Sequence, residues 1–280
     1  MASSVSCPVS VILPTCGRRE LLQEAVESVF AQTLLPGELV VVADGSSQAT
    51  AALVQRLARS APLPVSLLPS PRRGAAAARN AGLSRARFPL IAFLDDDDLW
   101  KPGKLAAQIA FLEQRPEAGL LACAWEEFGP GLPSFCPPRK PRRDRRIPLA
   151  RFCLKNPIAT SGVILRRECL QAVGLFDESL PLAQDWDLWL RLASRFPVFR
   201  LGEPLIRYRR HARNHSLRTT LLRQCENQLL EKAWRELPAI RRRPRLLLLW
   251  RLLWSRRRVT RQRRRELLRL DMETIGREPI

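Results

Sequence analysis

The chain has 280 residues, 46% of them hydrophobic and 26% charged, with a formal net charge of +20 and seven cysteines. That length and apolar content suit one sizeable core with an appendage and exclude wholesale disorder. The charge leaves the fold open but predicts an anionic partner: a membrane surface, a nucleic acid or a phosphorylated substrate.

The opening "MASSVSCPVSVILPT" has no basic segment ahead of its apolar run, so it does not read as a secretory signal. The apolar stretch "LLLLWRLLW" near the end is too short to span a bilayer and is broken by Arg251. The cysteines at 7, 16, 123, 136, 153, 169 and 225 form no C-x-x-C pair and no grouping with His211 and His215. They read as free thiols in a reducing cytosol.

In chain order the pattern predicts a strand at 9–13, a helix at 19–31, a strand at 38–43, a helix at 49–60, a strand at 65–68, a helix at 75–85 and a strand at 90–94. Such alternation predicts βαβ units and a largely parallel sheet. A helix at 102–114, with Pro102 as its first helical residue, and a strand at 120–125 follow. Segment 128–148 holds six prolines, two glycines and a cluster of bases, which predicts a mobile loop over the surface. After it come a strand and a helix within 157–180, then an amphipathic helix with Trp186, Trp189, Leu190 and Ala193 on one face. From Leu217 onward 18 Lys and Arg stand against 7 Asp and Glu, over half of the whole excess of +20. The expected organisation is a domain at 1–216 and a basic helical extension at 217–280.

The stretch "FLDDDDLWKPGKL" sets Asp95, Asp96, Asp97 and Asp98 directly behind a buried strand. Neighbouring carboxylates about 4 Å apart repel by roughly 4 kcal/mol at an effective dielectric near 20, which favours a bound cation. A hard divalent ion with oxygen ligands suits them, and ligands of open α/β sheets bind at the carboxyl ends of strands. A solvated acidic turn capping the next helix is the alternative. Pro14 and Thr15 end the first strand, where their backbone groups can meet a ligand. Asp44-Gly45 ends the second strand and suits either a base or ribose contact or an ordinary turn. In "SPRRGAAAARNAG", Gly74 turns the chain into an Ala-rich helix whose N-terminus suits phosphate, with Arg72, Arg73 and Arg79 nearby; solvent-facing arginines are the plainer reading. Asp185, in the first turn of the Trp-rich helix, is either a helix-terminal carboxylate or a general base. His211 and His215 suit a phosphate or metal contact or a surface position.

Six segments in this order, "SVILPTCGRRELLQEAVESVFAQT", "ELVVVADGSS", "GAAAARNAGL", "FLDDDDLWKPGKL", "TSGVILRRECLQAVGLFDESL" and "QDWDLWLRLA", resemble glycosyltransferase family 2. The resemblance covers about residues 8 to 216. It implies an α/β fold of GT-A type: a Rossmann-like, mostly parallel sheet flanked by helices. It also implies inverting transfer of a sugar from a nucleotide diphosphate sugar to an acceptor hydroxyl, in cell-surface polysaccharide or glycolipid synthesis. In the family's D-x-D element, Asp95 and Asp97 match the ligands of Mg²⁺ or Mn²⁺, with Asp97 foremost, and Asp96 matches the ribose contact. Asp44 matches the acid on the base, with Pro14 and Thr15 beside it, Arg79 lines the nucleotide pocket, and Asp185 matches the catalytic base. Arg72, Arg73 or His211 would assist the leaving group.

The chain departs from the family pattern in places. Cys16 and Gly17 replace an aromatic residue and Asn, which removes a stacking face for the base. Ala43-Asp44 keeps the second acid of a usual pair. Gln184 replaces a Glu, and loss of that charge is expected to lower the pKa of Asp185 a little. Acceptor choice, saccharide or lipid-linked, is expected to lie in 128–148 and around residues 160–162. The Leu, Trp and Arg of 221–268 suit a helix in the interface of the cytoplasmic membrane face, or a helical hairpin packed on the domain. A nucleotidyltransferase lacks support because "PTCGRREL" holds no glycine-rich signature loop. A nucleic-acid binder lacks it because no aromatic and basic interleaving accompanies the tail, so no specific nucleic acid is expected.

Overall fold

The computed structural model describes residues 6–45, 48–71, 73–130, 143–211 and 219–241. The elements in order are β1 (Ser6–Thr15), α1 (Arg19–Phe30), β2 (Leu35–Asp44), α2 (Gln48–Arg59), β3 (Val65–Ser70), α3 (Ala75–Arg85) and β4 (Leu90–Phe93). Then come β5 (Leu99–Trp100), α4 (Lys104–Gln114), β6 (Leu120–Phe128), β7 (Arg145–Arg146), α5 (Leu149–Leu154), a 3₁₀ turn (Thr160–Gly162), β8 (Ile164–Arg166) and α6 (Arg167–Val173). The chain continues through α7 (Gln184–Ala193), β9 (Val198–Arg209), α8 (Thr219–Glu236) and α9 (Pro238–Arg241).

Among the described residues nine strands form one sheet in the order β3-β2-β1-β4-β8-β6-β9-β5, with β7 paired to β9. The first four strands are mutually parallel. The other half is mixed: β8 runs antiparallel to β4 and β6, whereas β6 and β9 are parallel. The α/β class with a mostly parallel sheet between helices is thus the one expected. The chain leaves β1 toward β2 and β3 on one side and places β4 on the other, so the carboxyl ends of β1, β2 and β4 share the edge where such sheets bind ligands.

Alternation along the strands builds two cores. Val9, Val11, Leu13, Leu39 and Val41 face the layer that includes Leu22 and Val26 of α1 and Leu105 of α4. Ile12, Val40, Val42, Ile91 and Phe93 face α3, α5 and α7. These strands are buried on both faces, which is why they read as continuous apolar runs. On the second face α3 lies very close to the sheet. A Cβ on its Gly82 would stand 2.5 Å from Ile12 Cγ2, so only glycine lets the Ala-rich helix approach. Phe93, Phe176 and Trp189 pack edge to face, with centroids 5.4 Å and 5.9 Å apart for the two Phe176 pairs. Such pairs contribute roughly 0.5–1.5 kcal/mol each beyond their burial and press α7 onto β4.

Several expectations need correction. Helix α4 begins at Lys104, and Pro102 lies two residues ahead of it in a turn whose carbonyl accepts the Thr33 N–H at 2.9 Å. Strands β5, β7 and β9 and helix α5 were not anticipated. Of segment 128–148, residues 131–142 lie outside the described residues, and Arg145–Arg146 pairs with β9. Residues 210 and 211 follow the end of β9 and are not helical, and His215 lies outside the described residues. Leu229, Leu230 and Ala233 of α8 and Ile240 of α9 join the core beneath α7, and Lys232 Nζ lies 2.5 Å from Asp177 and 3.4 Å from Asp187. No helix among the described residues is long and apolar enough to cross a membrane, and residues 242–280 of the tail lie outside them.

Candidate active site

The acid run starts where β4 ends, after the Leu94 N–H has bonded the Ile12 carbonyl at 3.1 Å. Asp95 and Asp97 are partly exposed at the open edge, whereas Asp96 and Asp98 are buried, Asp96 against the end of β1 and Asp98 inward against β9. Asp95 Oδ1 accepts from Arg79 Nη2 at 2.6 Å. Asp96, only 2% exposed, accepts from Thr15 Oγ1 at 2.7 Å and pairs with the Arg18 guanidinium. Asp97 Oδ2 accepts from Arg18 Nη1 at 2.7 Å and lies 3.0 Å from His211 Nε2.

Asp98 is the inward one. Its Oδ2 accepts from Ser161 Oγ at 2.6 Å and its Oδ1 from the Arg209 N–H at 3.0 Å. It ties β9 and the 3₁₀ turn to the end of β4 and does not cap α4. Burial pushes its pKa well above the ordinary range, and Asp95 and Asp97 push the same way. Arg209 Nε donates to the Asp97 carbonyl at 2.9 Å, so β9 grips the acid run from behind.

The residues expected on the nucleotide side come from the parallel half. Pro14 is buried at the end of β1 beside Val42, and Thr15 follows it. Asp44, at the end of β2, accepts the Arg73 N–H at 3.0 Å and the Gly74 N–H at 2.9 Å. Its carboxylate thus shapes the turn into α3, where Gly74 sits at φ 94. The Arg73 side chain pairs with Glu178, and Arg72 and Ser46 lie outside the described residues. Arg79, 6% exposed, rises from α3 with its guanidinium over the Phe176 ring at 5.5 Å, and its Nε has no hydrogen-bond partner among the described residues. Burial would lower its pKa, but Asp95, Asp185 and Asp97 together raise it, so the cation persists.

Asp185 stands in the first turn of α7. Its Oδ2 accepts from Asn156 Nδ2 at 2.8 Å and from Thr160 Oγ1 at 3.1 Å. Burial raises its pKa above the ordinary carboxylate range, while Arg79, the Trp186 backbone and Thr160 pull it down. The net displacement is upward because of burial; the side chain of Gln184 turns away and donates to the Pro181 carbonyl at 3.0 Å. Arg79 is the shared neighbour that brings Asp95 and Asp185 into one electrostatic unit.

Among the described residues no three His, Cys, Asp or Glu side chains form a ready metal cage. The donor chemistry nevertheless fits a hard divalent ion: Asp95 and Asp97 supply carboxylate oxygens, and Mg²⁺-type sites commonly take one or two carboxylates and complete their shell with water and substrate phosphate. Arg18, Asn156 and Arg209 carry no role in the sequence reading, and Ser161 enters it only within the stretch 160–162 expected to bear on acceptor choice. Only Arg18 carried a visible signal, three residues after Thr15 at the helix entrance. The rest are ordinary polar residues whose place depends on distant pairing.

Residues 10–173 match the family described as Glycosyl transferase family 2. The amylovoran biosynthesis glycosyltransferase AmsE of Erwinia amylovora is 32% identical over 199 residues, 68% of this chain and 71% of that protein. Residues 1–349 of S. aureus TarS, in complex with UDP-GlcNAc, share the fold with a TM-score of 0.70 and 20% identity over 89% of this chain and 73% of that one. Of a longer TarS chain the match spans 44%. The mannosyltransferase PcManGT of Pyrobaculum calidifontis, in complex with GDP-Man and Mn²⁺, gives a TM-score of 0.66 at 22% identity over 90% of this chain and 72% of that one. With more than half of its length matched and the acid run, Arg79 and Asp185 gathered at one sheet edge, the chain belongs to glycosyl transferase family 2 and is a glycosyltransferase.

Proposed function

We propose that this enzyme is a metal-dependent inverting glycosyltransferase that moves a sugar from a nucleotide diphosphate sugar to an acceptor hydroxyl in cell-surface polysaccharide or glycolipid synthesis. The observation that carries this is Arg79, which salt-bridges Asp95 at 2.6 Å and also acts electrostatically on Asp185, so a diphosphate-binding end and a basic end meet around one cation. The AmsE likeness supports the polysaccharide setting, and the TarS and PcManGT complexes support UDP or GDP as the donor's nucleotide.

In this reading Asp97 and Asp95 would hold Mg²⁺ or Mn²⁺, which when bound supplies positive charge to the leaving diphosphate. Asp96 meets the ribose, a role its bond from Thr15 orients it for. Asp44, Pro14 and Thr15 line the base side, where exposed Cys16 offers no aromatic face. Arg79 and His211 face the diphosphate and offset the charge that builds there. Asp185 takes the proton from the acceptor hydroxyl, and its raised pKa makes it a better proton acceptor than an ordinary carboxylate once ionised. The acceptor, saccharide or lipid-linked, approaches from the side of Thr160. The basic extension, 217–280, is read as a peripheral contact with an anionic membrane face, starting beyond the part packed under α7.

The experiment is thermal unfolding with UDP, GDP, CDP and dTDP, each with and without Mn²⁺. A nucleotide at about 100 times its dissociation constant stabilises by roughly 2.7 kcal/mol. One nucleotide should raise the midpoint in a Mn²⁺-dependent way, and Asp97→Ala should remove the shift. No shift with any nucleotide overturns the metal and donor assignments together. Co-sedimentation with anionic liposomes at low salt tests the tail, and failure to sediment removes the membrane contact.

A further inference from the structure

Asn156 follows α5, and its amide reaches across to the first turn of α7. It donates to Asp185 Oδ2 at 2.8 Å, and Thr160 donates to the same oxygen at 3.1 Å. An acid in the first turn of a helix already gains from the dipole and the free N–H groups there. Two side-chain donors from outside the helix exceed what anchoring α7 requires.

Both donors are themselves held in place. Asn156 Oδ1 accepts the Ile158 N–H at 3.3 Å, which orients the amide so that its nitrogen faces Asp185. Helix α5, just ahead of Asn156, is tied to α7 by Trp186 Nε1, which donates to the Phe152 carbonyl at 2.6 Å. Thr160 belongs to the 3₁₀ turn whose Ser161 is bonded to Asp98. The donors therefore connect Asp185 both to α5 and, through that turn, to the acid run.

The backbone on the other side of Asp185 is constrained as well. Ala183, at φ 61 and ψ 20, is the one non-glycine residue with positive φ among the described residues. An alanine in the left-handed region is strained, and such strain persists where the surroundings fix the conformation and clusters at functional sites. Here it sets the entry to α7 two residues before Asp185.

We propose that Asn156 and Thr160 are positioning residues for the base: they clamp Asp185 Oδ2 against the protein, present Oδ1 to the acceptor hydroxyl, and hold the carboxylate ionised until it takes the proton. This rests on Asp185 being the base. Asn156 thereby belongs to the reaction, although it touches neither donor nor acceptor. The charged groups that face Asp185 from other elements are Arg79 of α3, which favours the ionised form, and Asp95 after β4, which opposes it. Neither makes the geometric clamp, because neither bonds Oδ2. Loss of a clamp donor removes a charge-assisted hydrogen bond and frees the carboxylate to turn.

The test uses the full chain carrying ¹³C-labelled aspartate, with the Asp185 carboxyl signal assigned by its disappearance in Asp185→Asn. Asn156→Ala should raise the Asp185 pKa by about one unit, a tenfold change in proton affinity, since hydrogen bonds to charged groups are of that size. Thr160→Val should raise it by less, and Thr160→Ser should restore it. Mn²⁺-dependent nucleotide affinity, read by calorimetry, should stay within about twofold in all three, which a general loosening of the site would not allow. An unchanged Asp185 titration in both Asn156→Ala and Thr160→Val overturns the clamp. If Asn156→Ala does not fold, the Thr160 pair decides by the same criterion. Nucleotide release from the donor in Asp185→Asn separates the two ideas: retained turnover removes the base assignment, whereas lost turnover with an unmoved titration removes the clamp alone.

Discussion

The two halves of the sheet were made by different rules. In the half formed by β3, β2, β1 and β4, each strand is followed by its own helix or turn and every pairing is parallel. In the half formed by β8, β6, β9 and β5, directions are mixed: Leu99 pairs antiparallel with Arg207, and Leu120 antiparallel with Leu165 but parallel with Val198. The proposed nucleotide-side residues Thr15, Asp44 and Arg79 come from the first half, whereas Asp185, Thr160, Asn156 and Arg209 depend on the second. The proposed donor side is therefore carried by parallel βα units, and the proposed base with its supports by the mixed half. The acid run lies at the junction, which explains why it faces both ways.

Three experiments bear on that division. The largest effect is expected for Asp185→Asn, which removes the proposed base from the second half. Turnover should fall about 10²- to 10⁴-fold, the usual contribution of a general base, while Mn²⁺-dependent nucleotide binding persists. Equal loss of binding would mean that the two halves are not separable.

Next comes the comparison of Asp97→Ala with Asp98→Ala, adjacent acids that face opposite sides. Asp98→Ala leaves Ser161 and the Arg209 N–H without their buried partner. It should cost about 3 kcal/mol of stability in denaturant unfolding. Asp97→Ala, whose partners can turn to water, should change stability far less and binding far more. Equal destabilisation by both would erase the distinction between them.

The smallest effect concerns Lys104, at the start of α4, which packs against β9. Its Nζ, fully buried, donates to Gln108 at 2.7 Å and lies 3.9 Å from the Trp100 ring centroid. Burial depresses its pKa to about 8, although Cys123 and Cys7 act to raise it. In the unfolded chain a lysine titrates near 10.4, so between these values the unfolded state binds more protons and stability rises with pH. The destabilisation is fully present below pH 8 and fades as pH rises through that window. Lys104→Met should lose this rise, a difference on the order of 2 kcal/mol in unfolding free energy between pH 8 and pH 10; loss of the Gln108 bond shifts stability equally at both values. Identical pH slopes for the two proteins would show that water reaches the amine.

How legible the molecule was follows the same line. Helices at 19–31, 49–60 and 75–85 and the strands between them were readable to within a few residues, because each buries a periodic apolar face within one βα unit. Strand β9 was not readable: "VFRLGEPLIRYR" interrupts its apolar positions with Gly202, Pro204 and three arginines, and it becomes a strand because β6 and β5 pair with it. Pro102 looked like a helix start because its fixed φ suits one, yet the Thr33 N–H claims its carbonyl and delays α4 to Lys104.

By itself the sequence determined the α/β class, the parallel half-sheet, the acid run at a strand end and the candidates Arg79 and Asp185, since period and strand-end chemistry are local. Tertiary structure alone decided that Asp98 turns inward, that Asp44 folds the turn into α3, that Asn156 and Thr160 share one oxygen of Asp185, and that α8 packs beneath α7. Each of these depends on which distant residues meet. A chain's local pattern does not encode that, because the burial and hydrogen bonds that choose between pairings exist only once the sheet has closed.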